Sequence, residues 1–138
     1  MNKYDIVFCD IDDTLNPSNA TTTEYTREVM KKLKEKGIKI AIGSSSKNTP
    51  IILKQIGLSD YFDAVSDGNN ISKSKPDPEV FLKAADFLEM PYDNCAIVED
   101  ADAGIIAGKA AGMVTFAVGS AKGGDVTLSN MKELLENL

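Results

Sequence analysis

Residues 4–14 read Tyr4-Asp5-Ile6-Val7-Phe8-Cys9-Asp10-Ile11-Asp12-Asp13-Thr14, a short β-prone run that empties into an acidic cluster. The run 4–9 is too short for a helix and apolar enough to be buried on both faces, which predicts a strand of a parallel sheet. The layout recurs. Residues 38–42, 62–65, 95–98 and 113–118 form four more such runs. Amphipathic stretches separate them. In the first, Tyr25, Val29, Met30 and Leu33 share one helical face; Thr21 and Glu24 fit a capping box, and Gly37 suits the C-terminal cap. Further helices are expected over 51–56, stopped by Gly57; over 78–90, with Asp77 as N-cap and Pro78 at the first position; over 102–111, ended by Gly112; and over 128–138. Strand–helix alternation of this kind implies an α/β fold, a Rossmann-like three-layer αβα sandwich around a five-stranded parallel sheet. The chain's 138 residues are room for one domain, 1–138.

Composition narrows the chemistry. Lys and Arg number 15 against 21 Asp and Glu, so 15 − 21 gives a net charge of −6. That balance disfavours a grip on nucleic acid or on an anionic membrane surface. No apolar run approaches a membrane span, and the N-terminus lacks a signal-peptide layout. The two cysteines, Cys9 and Cys95, read as buried thiols of a reducing compartment, pointing to the cytoplasm, with no disulfide between them. Histidine is absent, which removes imidazole bases, His-dependent triads and His-ligated metals. Any chemistry runs on carboxylates, hydroxyls and lysine.

In parallel sheets, ligands sit at the carboxyl ends of the strands. The polar residues of this chain gather there. Asp10, Asp12, Asp13 and Thr14 follow the first strand; Ser44, Ser45, Ser46, Lys47 and Asn48 the second; Lys73 and Lys75 the third; Glu99, Asp100 and Asp102 the fourth. So many carboxylates on one rim repel one another unless a cation joins them. Oxygen ligands with open positions suit Mg²⁺ completed by a substrate phosphate, for which the hydroxyls, Lys75 and helix N-termini supply donors. Asp10 can then attack phosphorus and form an aspartyl-phosphate. Asp12, two residues on, can protonate the leaving oxygen and later deprotonate a water.

These residues resemble the haloacid dehalogenase-like phosphotransferases. Asp10-Ile11-Asp12-Asp13-Thr14 is similar to their first motif, Ser44 to the second, Lys75 to the third and Glu99-Asp100 to the fourth. Residues 40–50 (IAIGSSSKNTP), 72–85 (SKSKPDPEVFLKAA) and 96–113 (AIVEDADAGIIAGKAAGM) resemble the β-phosphoglucomutase-like branch. The resemblance implies Asp10 as nucleophile and Asp12 as acid/base. It implies Asp10, Asp12, Asp100 and Glu99 around Mg²⁺, and Thr14, Ser44, Ser45 and Lys75 on the phosphate. It departs in three places. The helical cap that sugar-phosphate mutases carry after the first motif has no room between Leu15 and Thr23, and Asp13 and Ala101 replace a commoner glycine and hydroxyl. Residues 10–42 resemble instead the uncapped entry of the Cof-type phosphatases, whose own cap follows the second motif, where this chain also lacks room.

A capless core leaves water access to the intermediate, which favours a phosphatase acting on a small phosphate ester or sugar phosphate over a mutase. The chain is expected to work as a monomer, or as a homo-oligomer whose neighbouring copy supplies a lid. Two alternatives stand beside this. One is a β-phosphoglucomutase-like phosphotransferase, or a trimmed, weakly active remnant of one. The other is a receiver-type phospho-acceptor domain with Asp67 as acceptor.

Overall fold

The computed structural model describes residues 6–9, 20–55, 57, 61–118, 121–129, 133 and 136. Asp10, Asp12, Asp13 and Thr14 lie outside them, as does most of the expected last helix.

Among the described residues, six strands form one parallel sheet in the order β3-β2-β1-β4-β5-β6. Strand β1 (Ile6–Cys9) leads through helix α1 (Ala20–Glu35) to β2 (Lys39–Gly43). Helix α2 (Thr49–Gln55) carries the chain to β3 (Ala64–Ser66), and α3 (Glu79–Phe87) carries it back across the sheet to β4 (Cys95–Glu99). Helix α4 (Asp102–Ala110), β5 (Val114–Ala117) and β6 (Val126–Thr127) complete it. The order reverses beside β1, with β2 on one flank and β4 on the other. That switch point is where an open parallel sheet makes its crevice.

Side chains alternate between two apolar layers because successive strand residues face opposite ways. Ile40, Ile42, Ala96 and Val98 join Val29, Met30 and Leu33 of α1 and Leu53 of α2. Ala41, Cys95 and Ile97 join Val80, Phe81, Ala84 and Ala85 of α3 and Ala107 and Ala111 around α4. The three-layer expectation is met.

The differences are local. A sixth strand is added, two residues long, and is fixed by side chains rather than by its own pattern. Asp125 Oδ2 accepts from the Thr115 amide at 2.8 Å and from its hydroxyl at 3.0 Å, while Thr115 Oγ1 accepts from the Asp125 amide at 3.0 Å. These bonds hold the Asp125 carboxyl below its ordinary range, the Thr115 amide being the main cause. Thr21 lies inside α1, which begins at Ala20, rather than at its cap. Gly37, at φ 80°, takes the left-handed conformation a helix stop requires. Helix α3 opens at Glu79 with Pro78 as its N-cap, one residue later than expected, and Asp77 supports this start from outside the cap, its Oδ1 accepting from the Glu79 amide at 3.0 Å. Leu128 and Ser129 are not helical, so the last helix does not start at 128. Cys95 is buried, its Sγ donating to the Pro91 carbonyl at 3.4 Å. No helix among the described residues is long and apolar enough to cross a membrane.

Candidate active site

Lys75 joins the carboxyl ends of β2 and β4. It reaches the site from the segment between β3 and α3, and that segment is fastened before it arrives. Glu79, at the start of α3, accepts from the amides of Ser72 (3.1 Å) and Lys73 (2.8 Å). Those amide bonds, Ser72 first and Lys73 second, pull the Glu79 carboxyl down to about 2 from its usual 4.5. A carboxyl depressed on folding stabilises fully above its unfolded value and loses that contribution as pH falls toward its folded value. Denaturant unfolding of the parent and of Glu79→Gln, followed between pH 6 and pH 2, is therefore expected to show a steeper acid loss in the parent below about pH 4.5. Equal slopes would remove Glu79 as the fastener.

Lys75 is then held at both ends. Its amide donates to Ser45 Oγ at 3.0 Å, across 30 residues of sequence. Its ammonium donates to Glu99 Oε2 at 2.7 Å, with the two side chains only 10% and 1% exposed. The same ammonium lies 4.9 Å from the centre of the Phe81 ring, an attractive placement for a cation. Phe81 can lie there because Gly43 closes β2. A Cβ on Gly43 would come within 2.5 Å of the ring.

Ser44 is buried at the end of β2, its amide bonded to the Ser66 carbonyl of β3 at 3.0 Å. Its hydroxyl oxygen accepts from the Ser46 amide at 3.2 Å, which leaves the hydroxyl hydrogen as a donor. Ser46 and Thr49 turn the chain into α2: Ser46 Oγ accepts from the Asn48 amide at 3.1 Å, and Thr49 Oγ1 donates to the Ser46 carbonyl at 2.9 Å. The loop after β3 backs this turn, with Gly68 donating to the Ser46 carbonyl and Asn69 Nδ2 to that of Lys47.

Asp100 follows Glu99 directly at the end of β4 and is partly exposed on the rim. Strand β1 runs beside β4 with Cys9 opposite Val98, one residue before Glu99. Hydrogen bonds thus join Ser45, Lys75 and Glu99, and Ser44 and Asp100 are their neighbours along the chain. Asp10, Asp12 and Thr14 lie outside the described residues. Among those described, no group of three His, Cys, Asp or Glu side chains is placed to hold a metal.

Other acidic and basic candidates are used locally. Asp67 Oδ1 accepts from the Asn69 amide at 2.8 Å, and the Asp67 amide donates to Asn70 Oδ1 at 2.9 Å, so Asp67 builds a turn. Asp102 Oδ1 accepts from the Lys122 amide at 2.8 Å and ties the loop after β5 to α4. Lys73 is exposed, which leaves Lys75 as the lysine directed at the strand ends. The sequence reading did not find Phe81 or the glycines that make room around the lysine pair. Its available signal was two glycines, Gly104 and Gly108, inside a helical stretch with no turn to explain them.

Comparison with known proteins gives the family. A family model described as haloacid dehalogenase-like hydrolase matches residues 3–118, and the chain belongs to that family. Within it, the likeness is to the β-phosphoglucomutase-like branch. Over 91 residues the chain is 48% identical to β-phosphoglucomutase of Bacillus subtilis, covering 66% of this chain and 39% of that protein. Over 74 residues it is 39% identical to fructose-1-phosphate phosphatase of Escherichia coli, covering 54% of this chain and 39% of that one. The crystal structure of β-phosphoglucomutase from Clostridium difficile superposes with a TM-score of 0.71 at 33% identity, covering 78% of this chain and 50% of the other. The chain thus spans about two-fifths of the length of these curated relatives, which are a mutase and a phosphatase.

Proposed function

We propose that this chain is a Mg²⁺-dependent phosphohydrolase that removes the phosphoryl group from a small phosphate ester or sugar phosphate through an aspartyl-phosphate on Asp10. The observation that carries the reading is the Lys75–Glu99 pair at 2.7 Å, buried at the end of β4 next to Asp100 and beside the strand that leads to Asp10. A buried cation among carboxylates at a switch point is a place where phosphate charge can be received.

Glu99 and Asp100 are hard oxygen donors of the type Mg²⁺ prefers, and with Asp10 and Asp12 they would hold it. When bound, the ion supplies the positive charge that lets a carboxylate approach an anionic phosphate. The remaining work belongs to the chain. Ser44, Ser45, Thr14 and the Lys75 ammonium bind the phosphoryl oxygens. The Asp10 carboxylate forms a bond to phosphorus as the ester P–O bond breaks, and the Asp12 carboxyl gives its proton to the departing alkoxide. Asp12, now a carboxylate, takes a proton from a water that attacks the same phosphorus. The acyl-phosphate P–O bond breaks and inorganic phosphate leaves.

The test is hydrolysis of an aryl phosphate with and without Mg²⁺. Turnover is expected in Mg²⁺, a fall of 100-fold or more (~3 kcal/mol or more of barrier) in excess EDTA, and recovery when Mg²⁺ is restored. Turnover indifferent to EDTA, or none in Mg²⁺, overturns the proposal. The 48% identity to a phosphoglucomutase favours a second reading, transfer back to a sugar rather than to water. A sugar phosphate turned over to a positional isomer without release of inorganic phosphate would select it.

A further inference from the structure

The Lys75–Glu99 pair occupies space that a neighbouring helix yields to it. Gly104 lies in the first turn of α4, directly over the end of β4. A Cβ built there would come to 2.0 Å from Glu99 Cδ, 2.1 Å from its Cγ and 2.1 Å from Oε2, the oxygen that accepts from Lys75. Real Cβ atoms do not approach so closely, so one of the two groups must move. The usual escape, a flexible side chain swinging into solvent, is closed to Glu99, which is 1% exposed and enclosed at the strand end. Glycine is a poorer helix former than alanine, so its presence in this turn calls for a local cause. The contact supplies one.

We propose that Gly104 is a positioning residue: the absence of its side chain sets where the Glu99 carboxylate rests, and through Glu99 where the Lys75 ammonium stands at the phosphate site. The proposal rests on the reading of Lys75 given above, and it adds a residue with no polar atom in its side chain to the machinery. The effect is transmitted over two contacts. Any side chain at 104 displaces Glu99 Oε2, while Lys75 is held back at its amide by Ser45 (3.0 Å) and at its ammonium by the Phe81 ring (4.9 Å). The 2.7 Å bond therefore opens instead of translating. Displacing a charged donor by about 1 Å costs on the order of 100-fold in rate when that donor faces charge developing in the transition state.

The same helix provides the control. Gly108 is one turn further on, and a Cβ there would meet Ile97 Cδ1 and Thr115 Cγ2, both at 2.7 Å. Gly108→Ala therefore overpacks the same helix against the same sheet without touching the pair. The experiment compares Gly104→Ala with Gly108→Ala in the full chain, by aryl phosphate kinetics, thermal unfolding and crystal structures. For Gly104→Ala, kcat is expected to fall roughly 10- to 100-fold with KM changed less than about threefold, and the Lys75–Glu99 separation to open by about 1 Å. For Gly108→Ala, kcat is expected to stay within about threefold while the melting temperature drops. A Gly104→Ala crystal structure with the pair intact at its parental distance overturns the proposal, as does an equal kcat loss in both variants. If the parent shows no turnover at all, the hydrolase reading fails, and the Lys75–Glu99 distance in the Gly104→Ala crystal still decides the positioning role.

Discussion

Replacing Lys75 by methionine is expected to destabilise the fold by about 3–5 kcal/mol and to lower aryl phosphate turnover on the order of 100- to 1000-fold, and a second substitution is expected to separate the two losses. The stability loss comes from what is left behind. Glu99 is 1% exposed, and its Oε2 accepts from the ammonium at 2.7 Å. In the absence of Mg²⁺, removing the lysine leaves a buried carboxylate that has lost its ammonium, which is far costlier than the pair is stabilising. Methionine preserves much of the stem packed near Phe81, so the loss is one of charge rather than volume. Adding Glu99→Gln removes the stranded charge. Lys75→Met/Glu99→Gln is therefore expected to recover most of the unfolding free energy while turnover stays low, because neither amide nor thioether neutralises a phosphoryl oxygen. Denaturant unfolding with the slope checked for constancy measures the first effect, and steady-state kinetics the second. A Lys75→Met protein as stable as its parent would show that the buried pair does not carry the charge balance of this strand end.

What was legible in the residues follows from range. The buried strands of the sheet are short apolar runs between helical stretches, and such a run announces itself locally. Gly37 and Asp77 were legible for the same reason, since groups at helix ends act within one turn. Strand β6 was not: Val126 and Thr127 form no pattern, and their place depends on Asp125 bonding back to Thr115, ten residues earlier. The site divides in the same way. Ser44, Lys75, Glu99 and Asp100 could be read because a parallel sheet gathers its strand ends. The grip on Lys75 could not be read, since Ser45 lies 30 residues from it and Glu99 lies 24. Nor could Phe81 be assigned to the lysine from sequence. As one apolar residue on the buried face of α3 it reads as core, and its ring reaches the site only because a glycine ends β2.

Asp10→Asn is expected to abolish turnover by at least 1000-fold while leaving the protein folded, and Asp12→Asn is expected to fail differently. An amide at position 10 cannot displace an alkoxide from phosphorus, so neither phosphoenzyme nor product forms. It also removes one charge from a rim crowded with carboxylates, so thermal stability without Mg²⁺ is expected to hold or rise. With asparagine at position 12 the nucleophile remains. An aryl phosphate with an acidic phenol needs little proton donation to leave, so the first displacement continues. The second step has lost its base, and the acyl phosphate accumulates. Rapid mixing should then give a burst of phenol close to one per site, followed by slow release of phosphate, and hydroxylamine should discharge the label by attacking the acyl carbon. Only a covalent acyl phosphate predicts this contrast. Direct attack by water would make both variants equally burst-free, and labelling of Asp67 instead would return the receiver-type alternative.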